Sequence, residues 1–404
     1  MTRTFVSPQL AMAAALVCSL TAHAQTAAPA NASTTPGTPA VKSNSFNPAI
    51  ALILSGTYAN LSKDPETWRT KGFVAAGEEA GPGERGFSLG ESELGISANI
   101  DHYFFGSTTL AVTGENEVEV EEAFVQTTAL PDGWKIKAGR FFSGLGYLNE
   151  QHAHTWDFID APLAYQAMLG GKFAHDGLQV KWLAPLDQFV ELGVETGNGK
   201  NFPGTGRNRN GSGATTWFAH VGGDVGASHS WRAGVSYLKT HAEDRPLNSE
   251  DELFTGKSDV WVLDGVWKWA PNGNATQTNL KLQGEYFRRK ERGDAAVAEA
   301  EADIYRTSQS GWYVQGLYQF MPRWKVGLRY DQLDSGTIEA GSNTSLVEEA
   351  SKPSRTSVIL DWSLTEFSKL RLQINDDKAR VDASDRQVFL QYQMSLGAHG
   401  AHSY

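Results

Sequence analysis

Cysteine is almost missing from this chain. Of 404 residues one is cysteine, Cys18, and it falls within the first two dozen positions. That stretch, MTRTFVSPQLAMAAALVCSLTAHAQ, has an early Arg3, an apolar run from Leu10 to Leu20 and the small-residue site Ala22-His23-Ala24. It reads as a secretory signal peptide over 1–24. Bulky Val17 just before Cys18 argues against a lipid-anchored cysteine. An exported chain with no cysteine left cannot be held by disulfides, so the fold must draw its stability elsewhere. Long apolar runs are missing too: beyond the signal peptide nothing approaches the ~20 residues of a membrane helix. Basic excess is lacking, the formal net charge being −11, which argues against a nucleic-acid partner. Helical periodicity is scarce, and no 40–50-residue repeat marks a propeller. No G-x-S-x-G elbow or convergent triad supports an enzyme. Residues 25–45, rich in Ala, Thr, Ser and Pro, read as a flexible leader.

What is present, almost throughout 46–404, is period-two alternation. RWKVGLRYD sets Trp324, Val326, Leu328 and Tyr330 against Lys325, Gly327, Arg329 and Asp331. RLQIN sets Leu370, Leu372 and Ile374 against Lys369, Arg371 and Gln373. In the last stretch Val388, Leu390, Tyr392 and Met394 alternate with Gln387, Phe389, Gln391 and Gln393. Roughly sixteen such segments run from 48–62 to 386–404, each near the 9–11 residues or more that a tilted membrane strand needs. Connectors alternate between short turns, such as Pro185-Leu186 and Met321-Pro322, and long loops at 63–86, 143–176, 197–213, 241–256, 292–305 and 334–353. Tryptophans sit near strand ends, among them Trp134, Trp182, Trp324 and Trp362. These signals predict an all-β transmembrane antiparallel barrel with short periplasmic turns and long extracellular loops, as outer-membrane barrels show.

Two stretches sharpen the reading: KAGRFFSGLGYLNEQHAHTWDFIDAPLAYQAMLG (137–170) and the terminal QVFLQYQMSLGAHGAHSY. With them the chain resembles Gram-negative outer-membrane porins, in particular the sixteen-stranded phosphate-selective porin-like group. The resemblance implies a channel for passive diffusion of small hydrophilic or ionic solutes, commonly a homotrimer set in outer-membrane lipid and lipopolysaccharide. It also implies a third loop folded into the lumen, here 143–176. Some relatives carry labels for zinc-regulated uptake or for TonB-dependent receptors. The latter fit poorly, since such receptors need a 22-stranded barrel around a plug.

The loop's length exceeds what a compact connection requires, which predicts a constriction. The expected pore lining is Lys135, Lys137, Arg140, Glu150, Asp157, Asp160, Arg329 and Arg371, mixed in sign and so not a cationic ladder for anions. The loop's His152 and His154 stand two apart. In an extended segment they would point the same way and could share an ion with Asp157 or Asp160. No cofactor is required, zinc being possible. The rival readings are a metal-linked uptake channel or receptor using these histidines, and a non-transporting adhesin or barrel enzyme. The His399-x-x-His402 pair would diverge on a strand.

Overall fold

A computed structural model describes residues 48–74, 80–113, 117–206, 209–298, 301–381 and 383–397. The expected signal peptide, leader, terminal Tyr404 and the His399/His402 pair lie outside these residues.

The described chain is nearly all sheet. Its strand segments are β1 (Ala49–Leu61), β2 (Gly86–Leu89), β3 (Ser92–Asn99), β4 (Phe104–Val112), β5 (Val118–Thr127), β6 (Trp134–Phe142), β7 (Ala174–Leu183), β8 (Phe189–Gly197) and β9 (Ala214–Val225). They continue with β10 (His229–Pro246), β11 (Glu252–Trp269), β12 (Asn279–Val297), β13 (Asp303–Met321), β14 (Trp324–Glu339), β15 (Ser354–Thr365), β16 (Ser368–Asp377) and β17 (Asp385–Gly397). Each pairs antiparallel with its sequence neighbour, and β17 closes on β1 from Ala51↔Gly397 to Leu61↔Gln387. β2 and β3 both pair with β1, at Gly56–Ala59 and at Ala49–Ile53 respectively. They are two halves of one wall strand broken at Gly90-Glu91, so the closed barrel has sixteen strands. Closure leaves no edge to pair with another chain.

The alternation has a physical direction. Leu328 and its cross-strand partner Val358 are 56% and 46% exposed, while the adjacent pair Arg329 and Ser357 is 1% and 0% exposed. The apolar face therefore points out and the polar face in, the reverse of a sandwich in water and the arrangement that lipid demands. Trp134 meets Trp182 and Trp324 meets Trp362 across neighbouring strands at the short-turn end, with ring centroids 6.1 and 5.3 Å apart. Toward the other end, Trp217, Tyr237 and Trp261 form a second aromatic row at 5.6 and 4.6 Å.

One expectation needs correction. The segments 241–256 and 292–305 are not free loops: β10 runs to Pro246, β11 starts at Glu252, β12 runs to Val297 and β13 starts at Asp303. These strands, 16–19 residues long from β10 to β14, pass well beyond the second aromatic row. Their tops carry Phe254, Ala295 and Tyr305 in an apolar cluster with Val74, Leu247 and Leu346 from the loops. Loop folding and wall extension share one core there, so the ladder has a reason to continue above the membrane. The inner wall is also not uniformly polar. Leu238, Val260, Val262, Phe287, Tyr313 and Leu333 face inward and are fully or almost fully buried. What covers them is the long connection between β6 and β7.

Candidate functional site

This connection, residues 143–173 and hereafter L3, lies inside the barrel. Its two ends are clasped by Asn149. The Asn149 amide donates to the carbonyls of Ser143 and Phe173, both at 2.8 Å, and its oxygen accepts from Phe173 N at 2.8 Å. The entering backbone then crosses to the far wall. Gly146 adopts φ +73°, and a Cβ there would sit 2.3 Å from Glu285 Oε2. Tyr147 N and Leu148 N both donate to the Glu285 carboxylate at 3.1 Å. Tyr165 Oη (2.9 Å) and Tyr313 Oη (2.6 Å) complete its four donors.

Pro162 starts a short helix, α1 (Leu163–Leu169), and Gly170 ends it in the left-handed conformation. All seven residues of α1 are buried, against Phe287, Tyr313 and Leu333 among others. Arg289 caps the helix end by donating to the Ala167 carbonyl at 3.0 Å. This packing explains the stretch VWVL (260–263), where alternation fails. Trp261 and Leu263 face lipid, while Val260 and Val262 face L3.

Between the clasp and the helix, NEQHAHTWDFIDAP is tied to the wall by most of its polar groups. Glu150 takes Lys181 Nζ at 2.6 Å, and Asp157 takes Lys281 Nζ at 2.8 Å and Gln315 at 3.0 Å. Asp160 takes Arg329 at 2.6 Å, Arg355 at 3.1 Å, Gln373 at 2.7 Å and Asn375 at 3.0 Å. Arg371 donates to the Trp156 carbonyl at 2.7 Å and Lys369 to the His154 carbonyl at 2.9 Å. Burial alone would raise the Asp160 carboxyl, but Arg355 and Arg329 outweigh it and hold it at about 2.

The histidines take a third side of the lumen. Ala153–Thr155 form a 3-10 turn, so His152 and His154 do not sit on an extended segment as expected; their rings stack at 5.7 Å. His152 Nδ1 faces Glu121 at 3.0 Å and Glu93 at 3.2 Å, and its Nε2 faces Glu122 at 3.1 Å. His154 Nδ1 meets Glu93 at 2.6 Å. Burial disfavours a charged His152, yet its hydrogen bonds to Glu121, Glu122 and Glu93 prevail and hold it well above the usual imidazole range. Asp157 and Asp160 do not complete this set, because each is occupied by wall cations elsewhere.

Of the residues expected at the pore, Glu150, Asp157, Asp160, Arg329 and Arg371 are thus brought together along L3. Lys137 faces the same lumen, its Nζ 4.5 Å from the Phe124 ring centroid. Lys135 shares that parity but is exposed at the short-turn end. Arg140 is a correction. Three residues beyond Lys137 on one strand, it points to the outer face. There it pairs across the ladder with Asp176 at 2.6 and 3.0 Å. Residues that sequence reasoning left out of the site include Arg355 and Glu121. Arg355 shares the parity of Ser357 and Asp361, so alternation did mark it. The acidic run NEVEVEEAF carried no such mark: a register shift opposite Thr109/Leu110 turns both Glu121 and Glu122 inward.

No family model matches the chain. A protein of Aquifex aeolicus (strain VF5), described only as uncharacterized, is 30% identical over 385 residues, covering 89% of this chain and 80% of that one. Among solved structures, OmpT of Vibrio cholerae in its trimer form aligns with a TM-score of 0.54 at 13% identity, over 87% of this chain and 99% of that one. The anion-selective porin from Comamonas acidovorans gives 0.54 at 11% identity, over 87% and 99%. OprB of Pseudomonas putida gives 0.54 at 14%, over 86% and 94%. At such identities these likenesses are of fold, a sixteen-stranded outer-membrane barrel.

Proposed function

The chain belongs to one family with the Aquifex aeolicus protein, and we propose that it is an outer-membrane channel for passive diffusion of small hydrophilic or ionic solutes, with L3 as its constriction. The observation that carries this reading is the inward course of L3, anchored by charged wall residues at the level where the outer face is apolar. Much of the lumen is filled: Gln373, Asn375 and Gln387 on one wall and Arg289, Gln309 and Thr240 on the other are at most 3% exposed. Acids on L3 oppose cations on the wall, as in the pairs at Lys181, Lys281 and Arg329. This favours a transverse field over the single-sign ladder that phosphate selectivity needs. We also infer a homotrimer embedded in outer-membrane lipid and lipopolysaccharide. That assembly rests on the trimeric OmpT likeness and on a shallow outer groove of small residues, including Ala98, Gly106, Thr108, Ala123 and Ala138.

Liposome swelling tests the reading. Vesicles holding the folded protein are expected to swell in glycerol or arabinose and to slow steeply with disaccharides. No swelling with any of these solutes contradicts it, and would leave a non-transporting barrel as the alternative.

A further inference from the structure

The His152–His154 corner of the lumen differs from the other L3 anchors. Elsewhere each loop acid meets a lysine or arginine. Here two loop histidines meet wall acids, and the acids are in excess. Glu91, Glu93, Glu121 and Glu122 gather in one place, with Lys172 Nζ at 3.0 Å from Glu121 and 3.9 Å from Glu91. Glu91 lies against Glu121, and among the described residues its buried Oε1 has no donor within hydrogen-bond distance, Lys172 Nζ being 3.9 Å away. His152 Nδ1 faces oxygens of both Glu93 and Glu121, but one ring nitrogen carries at most one proton, so it cannot fully satisfy two carboxylates.

The donor atoms are already convergent. One ligand atom each from Glu93, His152 and His154 lies within 4.8 Å of the others, and so does one each from Glu91, Glu93 and Glu121, the two sets sharing Glu93. Zinc binds imidazole nitrogen and carboxylate oxygen at about 2.0–2.2 Å, so atoms sharing one ion lie roughly 3–3.5 Å apart. The 3.0 and 3.2 Å spacings around His152 Nδ1 are of that size. The break in the wall strand contributes. At Gly90, where a Cβ would sit 2.5 Å from Ser55 Oγ, the ladder is interrupted, and Glu91 and Glu93 flank the start of β3.

We propose that Glu93, His152 and His154, with Glu121 beside them, form a binding site for a divalent transition-metal cation that clips L3 to strands β3 and β5. Two imidazoles with carboxylates suit zinc and its neighbours, whereas calcium and magnesium prefer all-oxygen sets. The ion would displace the proton that His152 holds toward Glu93 and Glu121, and would fasten L3 at one side of the lumen while Asp160 fastens it elsewhere. The inference rests on the inward course of L3 and not on conduction, since a closed barrel would hold the ion equally well.

The test is calorimetric titration of zinc into the folded, detergent-solubilised full-length mature chain, prepared without a histidine tag. One zinc per chain is expected, with magnesium giving no heat. His152→Ala/His154→Ala and Glu93→Gln are each expected to weaken zinc binding ten-fold or more, whereas His399→Ala/His402→Ala retains it. Heat-modifiable migration on gels verifies that each variant is folded. Absence of zinc binding by the folded wild type, or equal binding by wild type and the His152/His154 variant, overturns the proposal. A non-conducting barrel that binds zinc through these residues sinks the channel reading and keeps the site; a conducting barrel that binds none does the opposite.

Discussion

Replacing Asp160 by alanine is expected to cost the folded barrel about 3–5 kcal/mol, the range for removing one partner of a buried ion pair. The Asp160 carboxylate is shared by Arg329 and Arg355, which are 1% and 2% exposed. Without it both guanidiniums stay buried, with Asp331 as a remaining acid at 3.0 and 3.9 Å. That residual partner pulls the cost toward the lower end of the range. Asp160→Asn keeps part of the hydrogen bonding to Gln373 and Asn375 and should fall between. Thermal unfolding in detergent, followed by circular dichroism, reads the change, and protease cleavage within L3 gives a second signal. The pH dependence has a definite sign. The folded carboxyl is held at about 2, below its ordinary value, so its contribution is present above the ordinary carboxylate range and lost only as pH falls through about 2. Acidification to pH 4 should therefore leave this anchor intact in the wild type. An unchanged unfolding midpoint in Asp160→Ala would show that L3 does not depend on it.

Glu285→Ala should be comparably severe for a different reason. Four donors converge on this carboxylate: Tyr147 N, Leu148 N, Tyr165 Oη and Tyr313 Oη. Each buried donor left without a partner costs about 1–3 kcal/mol, so a total on the order of 4 kcal/mol follows even if water satisfies some of them. Tyr165→Phe removes one donor and should cost about 1 kcal/mol in the wild type. In the Glu285→Ala background the same change should cost close to nothing, which a double-mutant cycle on unfolding free energies resolves. Additive costs would mean that Glu285 and Tyr165 act separately and that the L3 entry is held by something else.

Much of the barrel is legible in the sequence because lipid imposes a period of two on the outer face whatever the inner face does. Leu328, Val358 and Ile374 announce strands independently of their partners. The inner face is harder to read, because its character depends on what lies against it. Val260, Val262 and Phe287 look out of place until α1 is seen to cover them. The long upper strands escaped notice for a related reason: they are held by loop-to-wall packing around Phe254 and Tyr305, which no local pattern records. The loop was legible by its length, and its acids by their position, but not their partners. The bulge at Glu121 hides that residue's direction, and the fold brings Glu93 beside His154 from 61 positions away. Arg140 shows the converse. Strict alternation from Lys137 already places it outward, and grouping it with the pore cations set proximity in sequence above parity.

Single-channel recording in planar bilayers reads out whether this barrel conducts and whether L3 sets its width. Discrete openings of small conductance are expected for the wild type, and larger or noisier openings for Asp160→Ala and Glu285→Ala as L3 loosens. A folded, inserted barrel that passes no current at any voltage would contradict it, as would one whose conductance is the same in all three proteins.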